Sequence, residues 1–157
     1  MLLPRALGAF LALPTMVAGV VPTLIVYGQS PPSRAWLLAA PLLLLGTTLL
    51  VWCVRNFLVI GRGTLAPWDP PRHLVVIGLY RWDRNPMYLA VLAIVSGWTL
   101  LDRSPWLLLY LVGLAVAFHL RVVLNEEPRL HRRFGAEWET YAASVPRWRP
   151  RRPVARK

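Results

Sequence analysis

The side chains able to do chemistry fall in two short stretches. The first is Glu126-Glu127, adjacent carboxylates directly after a long apolar run, with Arg121 five residues upstream. Like charges this close raise one another's pKa unless cations or hydrogen bonds compensate. The pair suits a cationic or hydroxyl-rich ligand; the alternative is a solvated helix end neutralised by Arg121, Arg129 or Arg132. The second is Arg84-Asn85-Pro86-Met87-Tyr88, which opens another apolar run. A helix start offers unpaired N–H groups and partial positive charge, suited to an anion. Pro86 fits the first turn, and Tyr88 can donate a hydrogen bond or anchor at a membrane interface. Plain helix-start signalling accounts for the same residues. His119 lies in apolar sequence near Arg121, and an ionisable group there is a functional candidate or a buried, hydrogen-bonded histidine. His73 and His131 sit in polar contexts, and the three histidines lack metal-ligand spacing. Gly61-Arg62-Gly63 is too short for a phosphate loop. The single cysteine, Cys53, excludes an internal disulfide or a cysteine zinc cluster and reads as a packing residue.

The elements that must carry these stretches are apolar. The chain is 56% hydrophobic, against about 45–50% for soluble domains, and its apolar residues form long uncharged blocks. This predicts an all-α integral membrane protein of one domain, residues 1–146, with four spans near 6–27, 35–54, 85–101 and 104–124. The third block has 17 uncharged residues, about 25 Å of helix. Asp102-Arg103-Ser104-Pro105 reads as a hairpin turn, with Ser104 as N-cap and Pro105 in the first turn. HLVVIGLY, residues 73–80, reads as an extended segment lying on the helices. Pro128 then breaks or kinks the helix. Leu130, Phe134, Trp138, Tyr141 and Val145 make one apolar face of a C-terminal helix, 128–145, that Gly135 can divide. Residues 147–157 read as a disordered basic tail held weakly to anionic lipid.

Net charge is +11, from 17 Arg and one Lys against seven acids. The arginines flank apolar blocks, which is the positive-inside pattern rather than nucleic-acid binding. Loop 55–84 and the C-terminal tail carry most of them, which puts both termini and both chemical stretches on the cytoplasmic side. The composition points to a bacterial inner membrane, with membrane lipids as neighbours and no metal or nucleic-acid partner.

Together the motifs resemble the isoprenylcysteine carboxyl methyltransferase family and its phospholipid N-methyltransferase relatives. The resemblance runs over roughly residues 61–147. It rests on G-x-Y-R-x-x-R-N-P-x-Y at Gly78 to Tyr88, Gly97, E-E-x-x-L-x-x-x-F-G at Glu126 to Gly135, Trp138, Tyr141 and Val145-Pro146. It implies S-adenosylmethionine bound at the cytoplasmic face, with Tyr80, Arg84, Asn85, Pro86, Tyr88, Glu126 and Glu127 around it. It implies methyl transfer to a lipophilic substrate, and the lack of an evident base favours O-methylation of a carboxylate, oriented by Arg84 or Arg121. Two positions depart from the family pattern: Asn85 where His is frequent, and Ala90 where Gly is frequent. The alternatives are an NADPH-dependent sterol-reductase-like enzyme, whose cofactor phosphates would want arginines where Glu126 and Glu127 stand, and a non-enzymatic membrane scaffold.

Overall fold

The computed structural model describes residues 11–28, 34–56 and 73–151. The expected chain start, most of the 28–34 turn, Gly61-Arg62-Gly63 with the loop around it, and residues 152–157 lie outside them. The described chain is helical, with no strand among the described residues. Helix α1 is wound as a π-helix over Leu11–Val20 and as an α-helix over Val21–Ile25. Next come α2 (Trp36–Asn56), a 3-10 turn (Gly78–Arg81), α3 (Pro86–Asp102) and α4 (Pro105–Arg121). A π-turn (Val122–Glu126) leads into α5 (Glu127–Phe134), and α6 (Ala136–Ser144) comes after it. Two helical runs, Trp36–Asn56 and Pro105–Phe134, are long and apolar enough to cross a membrane; Pro86–Asp102 and Pro14–Ile25 are apolar but shorter. Trp36, Leu37, Leu44, Trp106, Leu109, Val112 and Val116 are exposed on α2 and α4, as lipid-facing side chains would be.

The α2–α3 pair is the most extensive contact, because small residues let the two backbones approach. A Cβ on Gly46 would lie 2.8 Å from the Ala90 carbonyl oxygen and 2.9 Å from the Ile94 nitrogen, and one on Gly97 would lie 2.8 Å from Leu43. Ala90 is fully buried in this seam with Leu50, Val91, Ile94 and Val95. The methyl at this departure from the family pattern therefore belongs to helix packing.

Proline explains the irregular winding of α1. Pro22 has no N–H, so the carbonyls four and five residues back, Ala18 and Val17, lose their helical donors. Trp98 Nε1–H donates to the Ala18 carbonyl at 3.0 Å, and Tyr110 O–H donates to the Val17 carbonyl at 2.8 Å. Neighbouring helices thus satisfy backbone groups that water cannot reach in a bilayer.

Two local expectations change. Pro128 does not break its helix; it sits in the first turn of α5 directly after the π-turn, and the helical run continues to Phe134. The wider turn accommodates a residue that cannot donate and whose ring would crowd the preceding turn. Ser104 occupies the N-cap of α4 with extended backbone, but its side chain makes no capping bond and its Oγ is buried without a partner. The C-terminal helix divides in two at Gly135 (φ 51°), the place the sequence marked for it. Its apolar face is as expected: Trp138, Tyr141 and Val145 are buried, and the partly buried Leu130, Phe134 and Leu74 of the extended segment pack against them.

Candidate active site

Three pieces of chain meet where α3 begins and α4 ends. The first is the 3-10 turn and the start of α3. Gly78 (φ 58°) makes that turn, and a Cβ there would lie 2.6 Å from Asn56 Nδ2, so the position requires glycine. Asp83 comes soon after, 1% exposed, and its Oδ1 accepts the Asn85 N–H at 2.6 Å. Burial pushes the Asp83 carboxyl above the ordinary range, while the amides of Asn85, Arg149 and Trp148 and the Arg84 charge pull it back.

The second piece is the π-turn. In an α-helix, residues five apart point about 140° away from each other. The π-turn closes with bonds five residues long, Glu127 N–H to the Val122 carbonyl among them. It thereby brings Glu126 round to Arg121, whose Nε donates to Glu126 Oε1 at 2.8 Å and to the Tyr88 hydroxyl oxygen at 3.1 Å. Tyr88 O–H donates to the same Glu126 oxygen. Glu127, one residue on, meets Arg84, whose Nη1 donates to Oε1 at 2.9 Å. The Tyr88 ring packs on Phe118 with centroids 4.4 Å apart.

The third piece is the segment after α6. Arg84 N–H donates to the Pro146 carbonyl at 3.1 Å, and Arg151 N–H donates to the Trp82 carbonyl at 3.0 Å. Between these ties Arg147 Nε donates to Glu127 Oε1 at 2.8 Å and its Nη2 to Oε2. Trp148 (φ 65°) stands against Tyr88 at 6.2 Å, and its Nε1–H donates to His119 Nδ1 at 3.2 Å. A non-glycine residue in this left-handed region costs about 1–2 kcal/mol, held here by contacts on either side. This overturns the reading of the tail as disordered from residue 147: up to Arg151 it is tied to the start of α3 and the end of α4. Proline and arginine content suggested a solvated tail, whereas individual bonds to Glu127, Trp82 and His119 fix its path.

Of the residues expected around the site, Arg84, Tyr88, Arg121, Glu126 and Glu127 form two hydrogen-bonded groups of one polar cluster, Tyr88 and Arg121 on Glu126 and Arg84 on Glu127. Asn85 and Pro86 adjoin it at the start of α3, both buried. The Tyr80 ring is buried with Cys53 and Val75, its carbonyl accepts the Tyr141 O–H at 2.8 Å, and its hydroxyl lies within electrostatic reach of Glu126. Burial raises the Tyr80 and Tyr141 hydroxyls well above the usual tyrosine range. His119 is hydrogen-bonded but exposed. Sequence reasoning missed Arg147 and Trp148; the Val-Pro step that turns the chain back was the available signal. Arg121 does neutralise Glu126, while Glu127 takes Arg84 and Arg147 in place of the local Arg129 or Arg132.

The arrangement suits a zwitterionic, hydroxyl-bearing ligand. Asn85 Nδ2 and Arg84 Nε are buried donors without partners, placed for an anionic group, and Glu126 supplies a carboxylate for a cation or a diol. Among the described residues no cluster fit to hold a metal ion occurs. A family model described as phospholipid methyltransferase matches residues 35–137. No curated protein and no solved structure matches the chain significantly.

Proposed function

Because the chain belongs to the phospholipid methyltransferase family, a family of membrane methyltransferases, we propose that it transfers a methyl group from S-adenosylmethionine to the carboxylate of a lipophilic substrate. The supporting observation is that two hydrogen-bonded groups, Tyr88 and Arg121 on Glu126 and Arg84 on Glu127, stand side by side at one end of the helix bundle. S-adenosylmethionine, when bound, supplies an electrophilic methyl on a sulfonium. Its carboxylate matches the start of α3 and the partnerless donors of Arg84 and Asn85; its ammonium and ribose diol match the carboxylate side of the cluster. Four passes, with α1 and α3 as the shorter ones, would place this end at the cytoplasmic face of a bacterial inner membrane, with both termini on that side.

The chain's part is to position the reactants and exclude water. Arg121 is the cation suited to orient a substrate acid. Its side chain is 48% exposed against 15% for Arg84, and among the described residues it bonds through Nε alone. Tyr88 holds that guanidinium against α3. A carboxylate acceptor has no proton to lose, so the chain need supply no base. This agrees with His119, whose Nδ1 lone pair is engaged by the Trp148 indole.

Labelled methyl transfer from S-adenosylmethionine, with the purified protein in vesicles offered prenylated or fatty carboxylic acids and, separately, ethanolamine lipids, tests this. Label in base-labile methyl esters supports the proposal. Label confined to base-stable amine products would replace the acid with an amine acceptor.

A further inference from the structure

The two carboxylates of the site are not equivalent. Glu127 Oε1 accepts from Arg84 and Arg147, and Oε2 accepts from Arg147 again. Two guanidinium charges thus face one carboxylate that is 16% exposed. Glu126 is 33% exposed, meets one cation and a neutral phenol through Oε1, and its Oε2 bonds nothing among the described residues. A carboxylate has about four lone-pair sites. Glu127 has three engaged and its charge more than offset, so it has little negative potential left for an ammonium. Glu126 keeps a whole oxygen.

We propose, resting on the methyltransferase reading, that Glu127 is a positioning residue whose necessary partner is Arg147, and that Glu126 alone presents a carboxylate oxygen to the cofactor. Glu127 ties the start of α3, through Arg84, to the segment Pro146–Arg151, through Arg147. That tie holds Trp148 against His119 and against Tyr88, the residue that bonds Glu126. Arg147 and Trp148 lie beyond residues 35–137, the part of the chain that matches the family.

The test uses the full-length protein in detergent. S-adenosylmethionine affinity is measured by calorimetry, and hydrogen exchange over residues 145–151 is measured without ligand. The variants are Glu126→Gln, Glu127→Gln, Arg147→Ala, Arg147→Lys and the Glu127→Gln/Arg147→Ala double. Glu126→Gln is expected to weaken binding at least about tenfold, the size of one lost charge-assisted bond, with tail exchange at the wild-type rate. Glu127→Gln and Arg147→Ala are expected to speed tail exchange and weaken binding by similar factors. The double should be no worse than either single, and Arg147→Lys should restore part of both signals. Glu127→Gln weakening binding with tail exchange unchanged would overturn the proposal, as would multiplying losses in the double. Folded wild type that does not bind S-adenosylmethionine would overturn the methyltransferase reading itself, and the proposal with it.

Discussion

Tyr88 shows most directly how one side chain serves the site. Its hydroxyl donates to Glu126 and accepts from Arg121, so it joins α3 to the π-turn after α4. Tyr88→Phe keeps the ring contact with Phe118 and removes both bonds. Bonds to charged groups are worth about 1.5–3 kcal/mol; affinity for S-adenosylmethionine should fall about tenfold or more, with helical circular dichroism unchanged. Asp83 gives a pH signature. Its folded-state pKa is raised by burial, so the native state holds this proton more tightly than the unfolded chain. Its contribution is then fully present below the ordinary carboxylate range and is lost as pH rises through the raised value. Melting temperature against pH should carry a component that falls over that window, and Asp83→Asn should remove it. A pH profile identical in wild type and variant would refute the assignment. Most of these contacts were legible at this scale, because Arg84, Tyr88 and the two glutamates belong to recognisable patterns and Arg121 lies close by in the sequence. Which arginine meets which glutamate was not legible, because the π-turn sets it.

The winding of α1 depends on side chains from α3 and α4. Trp98 and Tyr110 serve the carbonyls that Pro22 leaves without helical donors. Trp98→Phe should therefore destabilise the protein by about 1 kcal/mol, within the range for interhelical hydrogen bonds in membranes. The cost should shrink in a Pro22→Ala background, where the backbone regains its own donor; thermal unfolding of the four-member cycle measures this coupling. Equal costs in both backgrounds would show that the indole acts only by packing. At the α2–α3 seam, Gly46→Val would drive a side chain into the Ala90 carbonyl, and overpacking of this kind costs about 1–3 kcal/mol. The helices themselves were readable from uncharged block lengths. The π-turns were not, although Pro22 and Pro128 marked both places where the ordinary bond pattern had to change.

Across the whole molecule, apolar helices bring together two polar stretches separated by most of α3 and α4. The C-terminal segment then closes against both, through the Arg84 N–H to the Pro146 carbonyl and Arg147 to Glu127. That closure escaped the sequence reading because Arg147 to Arg151 has no periodicity and its partners are distant in the chain. The methyltransferase family is shown by the match over residues 35–137, and the proposed cofactor site is this junction, so cofactor binding tests it most directly. S-adenosylmethionine should be titrated calorimetrically into the folded wild-type protein and into Glu126→Gln, each shown to be folded by its melting transition. Saturable one-site binding that the variant weakens at least about tenfold is the predicted result. Absence of binding to the wild type, or equal affinity in both proteins, would contradict it.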